Sequence, residues 1–406
     1  MPKPQVCLDS LRSRRESMPT TYAVLGAGRQ GTAAAYDMAR WGDARRVILA
    51  DYDLQVARRA AERVKKLLGK TVAEPVQVDV TDLKAVEEVL TGVNAFLSAV
   101  PYYYNLDITQ VAIRVGAHMC DLGGHIGIAR QQHSFDAEAR AAGISIVPNC
   151  GQVPGMGTTL MVYPMELLDE VVDVYMWDGG IPQNPRSPFN YLLTFHVAGL
   201  TNEYAEPAIF IRDWKVTEVD TMTELETVEF PEPIGTLEAF VASGGTDTMP
   251  WTFEGKLRTL QNKTLRHPGH FAQLRAFYDL GLWDLTPLQV GDVEVVPRDV
   301  FHALFEPKVT FPEDEDMVIV RVEAVGKKDG RDAEALVEVI DYFDEETGFT
   351  AMERCTGWSA AIVAEMMAHG QTPHGAGGVE TQVPARPYVE GLRRRGINVT
   401  EEVTLV

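Results

Sequence analysis

Short apolar runs alternate with amphipathic segments over the N-terminal part of the chain. The apolar runs predict strands at Tyr22–Leu25, Val47–Ala50, Val76–Val80, Ala95–Val100, His118–Leu122 and Ile144–Pro148. The segments between them have helical periodicity and predict helices at Thr32–Trp41, Leu54–Leu68, Leu83–Leu90, Leu106–Val115 and Ala129–Ala142. Parallel strands buried on both faces have such continuous apolar sequences, and helices connect them. The pattern therefore predicts an α/β fold with a doubly wound parallel sheet of the Rossmann type.

The pattern changes at Asn149, where period-two alternation and frequent prolines replace the helical segments. Two single strands are predicted at Phe189–Val197 and Leu237–Val241, and a hairpin is predicted from Met317–Val325, the polar turn Gly326–Asp332, and Ala335–Phe343. The segment Gly357–His369 again has the pattern of an amphipathic helix. We therefore predict an inserted α+β domain with a mixed or antiparallel sheet.

These patterns divide the chain into four parts. We expect a poorly ordered tail at residues 1–17, with Met18 as a possible true start. The further predicted parts are a dinucleotide-binding Rossmann domain at residues 18–150, a substrate and dimerisation domain at 151–350, and a C-terminal helical segment at 351–406 that packs back on the first domain.

A glycine loop joins the first predicted strand to the first predicted helix. Gly26, Gly28 and Gly31 have the Gly-x-Gly-x-x-Gly spacing, and Asp51 ends the second strand about 20 residues later. The glycines permit a tight turn, close approach of a pyrophosphate and close packing of the helix on the strand. Asp51 would bind the ribose hydroxyls and repel a 2′-phosphate, which favours NAD over NADP. Arg29 and Gln30 complete the predicted cofactor-binding loop. A glycine turn without a ligand and an S-adenosylmethionine site are the alternatives.

Composition narrows the class of protein. The chain has 406 residues, 45% hydrophobic and 23% charged, with a formal charge of −21. Nucleic-acid binding needs a concentrated basic surface, and the acidic charge of this chain disfavours one. A membrane span needs about 20 consecutive apolar residues, and no apolar run in the sequence approaches that length. We therefore expect neither a nucleic acid nor a membrane as a partner. The acidic charge favours a small cationic substrate. The four cysteines are widely spaced and the N-terminus lacks a signal sequence, which predicts a cytoplasmic protein.

Ligands of doubly wound sheets bind beyond the carboxyl ends of the strands. That rule selects Asp121 and His125 as candidates for proton transfer, with Tyr102 beside the expected nicotinamide. An N-cap aspartate, a surface histidine and a packed aromatic edge are the structural alternatives. The other predicted cofactor contacts after these strands are Asp79, Ser98, Val100 and Pro101.

Three further groups of residues are candidates for chemistry. A zinc site from His118, Cys120, Asp121 and His125 is disfavoured because a regular strand points its neighbouring side chains to opposite faces, so we predict no metal. Cys150 is interpreted as a buried thiol. Arg266 is predicted to bind a substrate carboxylate through its planar guanidinium, with a solvated surface as the alternative. The other predicted substrate-binding residues are Gly151, Tyr191 and Thr264.

These segments resemble the saccharopine dehydrogenase family, and within it the NAD-dependent lysine 6-dehydrogenases. The resemblance covers nearly everything from Met18 onward. Its generic part is the glycine loop. The more specific matches are 118–125 (HMCDLGGH), 148–155 (PNCGQVPG), 179–182 (GGIP), 201–204 (TNEY), 243–246 (SGGT) and 263–266 (KTLR).

The resemblance implies an NAD(P)-dependent oxidoreductase acting on CH–NH or CH–NH2 donors, with an open sheet that often supports homodimer formation. It also implies oxidation of the ε-amine of lysine to the 6-semialdehyde with release of ammonia. Saccharopine reductases carry an arginine in the segment resembling residues 195–199, and Ala198 stands at that position here. The alternatives are a saccharopine- or carboxynorspermidine-type oxidoreductase and a non-catalytic NAD-binding protein.

Overall fold

The computed structural model describes residues 19–406, so the expectations about residues 1–17 and about Met18 as a start lie outside the described residues. The strands are β1 Thr20–Leu25, β2 Ala44–Asp51, β3 Ala73–Gln77, β4 Ala95–Ser98, β5 His118–Asp121, β6 Ser145–Val147, β7 Glu170–Pro182, β8 Ala208–Arg212, β9 Lys215–Val219, β10 Glu226–Glu229, β11 Thr236–Val241, β12 Thr259–Arg266, β13 Leu288–Val290, β14 Val293–Val295, β15 Asp316–Lys328, β16 Arg331–Tyr342, β17 Gly375–Ala376 and β18 Val399–Leu405.

The helices are α1 Arg29–Trp41, α2 Leu54–Leu68, α3 Leu83–Leu90, α4 Asn105–Val115, α5 Ile126–His133, α6 Asp136–Ala142, α7 Met156–Val162, α8 Val197–Ala205, α9 Met249–Phe253, α10 His270–Asp279, α11 Pro297–Val309, α12 Ala351–Glu353, α13 Ser359–Ala368, α14 Val379–Gln382 and α15 Ala385–Arg394. Short 3₁₀ turns lie at Tyr102–Tyr104 and Tyr163–Glu166, and a π-helical turn lies at Arg354–Trp358. No helix within residues 19–406 is long and apolar enough to cross a membrane.

The first sheet is parallel and has the strand order β17-β6-β5-β4-β1-β2-β3. Its central strands are fully buried, since helices cover both faces. This confirms the prediction of a doubly wound parallel sheet. The chain order reverses between β1 and β4, and ligands of such sheets bind in the crevice beyond that point.

Local hydrogen bonds explain where this sheet differs from the prediction. β3 lies at Ala73–Gln77 rather than Val76–Val80, because the Val78 amide bonds to the Asp51 carbonyl and Asp79 begins a turn. The single helix predicted at Ala129–Ala142 is two helices, α5 and α6. The Ser134 hydroxyl donates to the Gln131 carbonyl at 2.6 Å at the end of α5.

The second sheet is mixed and follows the path β10-β11-β12-β7-β15-β16-β18, with β8 and β9 attached to β12. The predicted hairpin is confirmed as β15 and β16, although its turn is only Asp329–Gly330, both with positive φ. β11 confirms the strand predicted at Leu237–Val241. The strand predicted at Phe189–Val197 is wrong, because its apolar residues pack into an aromatic cluster with α10 and α11 instead of pairing with a sheet.

The C-terminal segment contributes to both sheets. β17 extends the first sheet beside β6, and β18 extends the second beside β16. The π-helical turn lies against α1, where a Cβ on Gly357 would stand 2.7 Å from the Gln30 carbonyl oxygen. Arg395 and Asp37 form a fully buried ion pair with two nitrogen–oxygen distances of 2.7 Å. These contacts tie the end of the chain to the helix that follows the glycine loop.

Candidate functional site

The glycine loop has the geometry that a dinucleotide pyrophosphate needs. Gly26 has φ +96°, and a Cβ there would stand 2.6 Å from the Ala99 carbonyl oxygen, so no other residue suits this turn. A Cβ on Gly31 would overlap the Gly26 carbonyl, so Gly31 brings α1 against β1. The space beside Gly28 is open. Gly28 is the N-cap of α1 and supplies no side-chain cap, and the first turn holds no acid, which leaves its amides for an anion. These features fit a dinucleotide.

Asp51 stands at the carboxyl end of β2 and organises the same loop. Its Oδ2 accepts a hydrogen bond from the Ala27 amide at 2.8 Å, and its Oδ1 accepts one from the Asp53 amide at 2.9 Å. The carboxylate is half-buried, and the two oxygens keep further lone pairs for a ribose. The next side chains, Tyr52 and Asp53, bring no cation.

Arg29 and Gln30 lie on the side of the loop that faces the C-terminal segment. Arg29 Nε lies 2.8 Å from Glu353 Oε1, while about half of the Arg29 side chain (54%) stays exposed. The Gln30 Oε1 atom is buried and has no hydrogen-bond partner among the described residues. The loop is therefore tied to α12, and through it to the second sheet.

The other predicted cofactor contacts have separate local roles. Ser98 is buried, and its hydroxyl donates to Asn105 Oδ1 at 2.8 Å, which fixes the start of α4. Val100 lies close to Gly26, and Pro101 precedes the 3₁₀ turn at Tyr102. Asp79 is fully exposed, and hydrogen bonds from Thr81 lower its pKa. Val100 and Pro101 therefore border the crevice beside the glycine loop, whereas Ser98 and Asp79 use their oxygens within the protein.

Asp121 is buried at the end of β5 and holds three neighbouring segments. Its Oδ1 accepts from the amides of Gly123 and Asn149 at 2.8 and 3.0 Å, and its Oδ2 accepts from Gln132 Nε2 at 2.8 Å. Burial raises the pKa of Asp121, although these three hydrogen bonds act to lower it. The carboxylate is only 1% exposed, so the three donors enclose it and it connects the loop at Gly123 with the crossover at Asn149.

Tyr102 and His125 lie together beyond the ends of β4 and β5. Their rings stack with centroids 5.3 Å apart and an angle of 20° between planes. A Cβ on Gly124 would stand 2.9 Å from Tyr102 Cδ1, so the glycine allows this close approach. His125 is exposed and its imidazole is accessible to a ligand, unlike the carboxylate of Asp121.

A cleft with about 380 Å³ of empty space, counted to its open mouth, lies on one face of the second sheet. β7 contributes Asp178 and Gly180, and β12 contributes Asn262, Thr264 and Arg266, because alternate residues of a strand share a face. The remaining lining residues are Gln152, Val153, Phe195, Glu203, Ala242, Ser243, Gly245 and Met352. Gln152 and Val153 follow the end of β6, and Met352 precedes the Glu353 that pairs with Arg29. The cleft therefore adjoins the cofactor loop.

A chain of hydrogen bonds orients Arg266 in this cleft. Its Nε donates to the Tyr204 hydroxyl at 2.8 Å, which lies 3.1 Å from His270 Nε2. His270 Nδ1 lies 3.1 Å from the Phe189 carbonyl oxygen, so Nδ1 carries the proton and Nε2 accepts from Tyr204. Burial and then the charge of Arg266 lower the pKa of His270 to about 3, which keeps the ring neutral.

Arg266 keeps hydrogen-bond donors for a ligand. Nη1 uses one hydrogen on the Leu265 carbonyl at 2.8 Å, and Nη2 lies 3.8 Å from Glu203 Oε2, too far for a hydrogen bond. Nη2 and the second Nη1 hydrogen can therefore meet a carboxylate as a planar pair.

Two carboxylates flank the guanidinium. Burial raises the pKa of Asp178 to about 6, although the positive charge of Arg266 acts to lower it. Gln152 Nε2 lies 3.3 Å from Asp178 Oδ2. Burial likewise raises the pKa of Glu203 to about 7, although 35% of its side chain faces the open cleft, where water stabilises its charge. Asn262 Oδ1 is also buried, without a hydrogen-bond partner in the described part of the chain. The cleft thus presents one cation, two acids and an unpaired acceptor.

The predicted substrate residues divide between the cleft and its support. Thr264 and Arg266 line the cleft. Tyr191 is buried behind it, with its ring centroid 5.5 Å from Arg266 Cζ, and Gly151 lies at the base of the crossover that presents Gln152. Cys150 is a buried thiol whose pKa burial raises, which agrees with the structural interpretation. Within residues 19–406, no group of three or more His, Cys, Asp or Glu side chains is placed to hold a metal ion.

Sequence reasoning missed the two acids of the cleft. Asp178 interrupts an apolar strand immediately before Gly179–Gly180, and a carboxylate in such a strand is a recognisable signal. Glu203 lies in the segment 201–204, which the family resemblance identifies without assigning it a role. The sequence does not show that either acid lies near Arg266, because Arg266 is more than 60 residues away from both along the chain.

Comparison with protein families matches the chain almost throughout. Residues 22–147 match the saccharopine dehydrogenase NADP binding domain, and residues 151–397 match the saccharopine dehydrogenase C-terminal domain. The solved structure of apo histidine-tagged saccharopine dehydrogenase (L-Glu forming) from Saccharomyces cerevisiae covers 95% of this chain and 100% of its own, with TM-score 0.75 and 18% identity. That likeness shows the shared fold.

Curated relatives carry the name saccharopine dehydrogenase [NADP(+), L-glutamate-forming]. The protein from Pyricularia oryzae is 26% identical over 249 residues, covering 58% of this chain and 54% of its own length. The one from Saccharomyces cerevisiae is 22% identical over 292 residues, covering 66% and 64%. The chain therefore spans only between half and two thirds of the relatives it matches. These relatives are named as oxidoreductases, in line with the predicted enzyme class, and the chain belongs to the saccharopine dehydrogenase family.

Proposed function

We propose that the protein is an NAD-dependent oxidoreductase that deaminates the ε-amine of L-lysine to the 6-semialdehyde and releases ammonia. The observation that carries this proposal is that Arg266, Asp178 and Glu203 line one cleft beside the dinucleotide loop. A guanidinium with a free planar donor pair binds a carboxylate, and adjacent carboxylates bind an ammonium group. Together they recognise the zwitterionic end of an amino acid.

Charge favours lysine over a larger dicarboxylic substrate. The cleft holds two acids for one arginine, and the chain carries a formal charge of −21, so a substrate with an extra amine is attracted and one with extra carboxylates is repelled. Phe195 lines the cleft, whereas the neighbouring Ala198 offers no cation for a second carboxylate group.

The reaction requires a neutral amine next to the carbon that loses hydride. A nicotinamide cofactor held by the glycine loop and Asp51 would supply the hydride acceptor, and loss of hydride from the neutral amine would leave a protonated imine on the substrate. Free lysine has an amine pKa of about 10.4, so a group of the protein must remove a proton first. We assign this role to His125, which is accessible, with Tyr102 stacked against it to hold the ring. Once that proton has passed to solvent, the same imidazole would act as the base for the water that converts the imine to aldehyde and ammonia.

Asp121 would position the loop that carries His125. Its hydrogen bonds to Gly123 and Asn149 hold the loop that carries His125 against the crossover that leads into the cleft. Asn149 Nδ2 in turn donates to Asp247 Oδ1 at 2.6 Å, two residues beyond the cleft residue Gly245. The loop and the cleft are thus connected through buried side chains.

The preference for NAD is proposed from the end of β2. Asp51 and Asp53 place negative charge where a 2′-phosphate would lie, and Asp51 keeps lone pairs for the ribose hydroxyls. The curated relatives are named for NADP(+), so this preference would distinguish the chain from them. A homodimer is also proposed. The buried free thiols of Cys120, Cys150 and Cys355 favour a cytoplasmic location.

Two other functions lead to different results in one assay. An amine panel containing lysine, saccharopine, carboxynorspermidine and ornithine is incubated with NAD or NADP while NADH or NADPH absorbance is followed. The proposal predicts turnover of lysine with NAD and much weaker turnover of the others. Turnover of saccharopine or carboxynorspermidine alone would make the protein a different carbon–nitrogen oxidoreductase. Binding of NAD without turnover of any amine would make it a non-catalytic dinucleotide-binding protein.

A further inference from the structure

The cleft contains a buried amide oxygen that no group of the described chain satisfies. Asn262 is 3% exposed, and its Oδ1 atom accepts no hydrogen bond within residues 19–406. Native proteins leave few buried polar atoms unpaired, so each exception points to a ligand or to an ordered water. Because Asn262 lines the cleft, the donor that its oxygen lacks has to come from the space of the cleft.

Two neighbours engage the nitrogen end of the Asn262 amide. A Cβ on Gly245 would stand 1.9 Å from Asn262 Nδ2, so the missing side chain at Gly245 lets its loop lie against this nitrogen. On the adjacent strand, Asp178 pairs with Thr264, two residues after Asn262, and the Asn262 side chain acts to lower the pKa of Asp178. A carboxylate accepts hydrogen bonds from the NH2 end of an amide and repels its oxygen. The oxygen of Asn262 is therefore the end left for a ligand.

Two further acceptors lie around the guanidinium of the same cleft. Asp178 and Glu203 both line it, and Glu203 Oε2 stands 3.8 Å from Arg266 Nη2. The α-carboxylate and α-ammonium groups of an amino acid are bonded to one carbon, so an amino acid held by Arg266 places its ammonium group among these acceptors. A primary ammonium group has three N–H donors and no acceptor. Asp178, Glu203 and Asn262 supply one acceptor for each donor.

We propose that Asn262 Oδ1 accepts one of the three hydrogen bonds of the substrate's α-ammonium group and makes the cleft selective for an unsubstituted primary amine there. This role deepens the proposed function and rests on its amino-acid substrate. An Nα-methyl group removes one donor and leaves a buried acceptor unpaired. A site built to hydrogen-bond a donor strongly rejects an analogue that lacks it. A 2-hydroxy acid, which has one donor and no positive charge at this position, is rejected for the same reason.

The strand that carries Asn262 also supplies a matched control. Gln261 is 7% exposed, and its Oε1 atom is likewise buried without a hydrogen-bond partner in the described part of the chain. Successive residues of a strand face opposite sides, so Gln261 points away from the cleft that Asn262 lines. Gln261→Ala and Asn262→Ala therefore each delete one buried amide from β12, and only Asn262→Ala deletes it from the cleft.

The test measures binding of L-norleucine and Nα-methyl-L-norleucine to the full chain by titration calorimetry at saturating NADH. Norleucine has the α-groups and the carbon chain of lysine but no distal amine, so its binding requires no turnover. The parent and Gln261→Ala should bind norleucine at least about tenfold more tightly than its Nα-methyl form. Asn262→Ala should bind norleucine about ten- to a hundredfold more weakly and should lose most of this preference. Asn262→Asp keeps an acceptor at the same place and should keep the preference.

Kinetics with lysine separate this contact from a general loss of structure. Asn262→Ala should raise KM for lysine and leave kcat within about twofold, because Asn262 contacts the end of the substrate that does not react. The ratio of the norleucine and Nα-methylnorleucine affinities is measured within each variant, so a change in the folded fraction cancels.

Three results overturn the proposed role of Asn262. An unchanged norleucine affinity in Asn262→Ala would mean that water alone occupies the acceptor. Equal affinities of the parent for norleucine and its Nα-methyl form reject the selectivity, as does a loss in Gln261→Ala as large as that in Asn262→Ala. A parent that binds norleucine in the expected pattern but does not oxidise lysine would reject the proposed function and support the α-ammonium contact. A parent that oxidises lysine but shows no preference for the primary amine would do the reverse.

Discussion

Replacement of Asp178 by asparagine tests whether the negative charge of Asp178 lowers the free energy of unfolding and contributes to lysine binding. Asparagine keeps the shape of the side chain and removes its titration. Burial raises the pKa of Asp178 to about 6 from the ordinary 3.8, so the folded state binds a proton more readily than the unfolded chain. A carboxyl group with a raised folded-state pKa favours folding at low pH, and that contribution is lost as pH rises towards the folded-state pKa.

The size of this loss of stability follows from the pKa shift of Asp178. About two pKa units correspond to about 3 kcal/mol at pH 8, where the carboxylate is ionised in both states. The cost falls to about half of that at pH 5 and to about a fifth at pH 4. For a chain of 406 residues with an unfolding entropy of about 2 cal/mol/K per residue, 3 kcal/mol corresponds to about 3–4 °C in Tm.

The Asp178→Asn variant should therefore unfold about 3–4 °C above the parent at pH 8, with the difference shrinking as pH falls. It should bind lysine about ten- to a hundredfold more weakly, because one charge-assisted contact to the ammonium group is lost. Calorimetry from pH 5 to 8 and steady-state kinetics measure the two effects. Asp292→Asn, at an exposed position, serves as the control and should change neither. A stabilisation independent of pH would mean that ionisation of Asp178 is not its cause, and an unchanged KM for lysine would mean that Asp178 does not contact the substrate.

Four further substitutions have distinct expected outcomes. Asp51→Ser should shift preference towards NADP by at least about tenfold in kcat/KM, and an unchanged ratio would mean that the ribose is held elsewhere. The methyl group of Gly28→Ala enters open space, so this variant should bind NAD more weakly in titration calorimetry and keep the Tm of the parent. The methyl group of Gly31→Ala overlaps the Gly26 carbonyl, so this variant should lose both NAD affinity and thermal stability. Arg395→Met leaves a buried Asp37 without its partner and should cost about 3–5 kcal/mol in urea unfolding; a smaller loss would show that water reaches the carboxylate.

The sequence predicted the first sheet well because its signals are local. Apolar runs and glycine spacing lie within short stretches, so β1, β2 and the loop between β1 and α1 could be located without tertiary information. The hairpin of β15 and β16 was found for the same reason. The segment 189–197 has the composition of a strand, but its aromatic side chains pack against α10 and α11, and only the tertiary structure reveals this.

The site was predictable in part. Arg266 and Thr264 could be selected as a cation and a hydroxyl in an acidic chain, and they do line the cleft. Asp121 looked accessible at the end of a strand, but the amides of Gly123 and Asn149 that enclose it belong to later turns of the chain. The role of Asp178 depends on β12 lying beside β7, a pairing between distant segments that local patterns do not reveal.

We propose that the distal amine of lysine, rather than its α-amine, is the group that is oxidised. The direct measurement uses lysine labelled with ¹⁵N at either the α- or the ε-position, incubated with NAD and the enzyme, followed by mass spectrometry of the released ammonia. If the distal amine is oxidised, labelled ammonia is expected from ε-labelled lysine only, together with stoichiometric NADH. Labelled ammonia from α-labelled lysine, or NADH formation without release of ammonia, would contradict it.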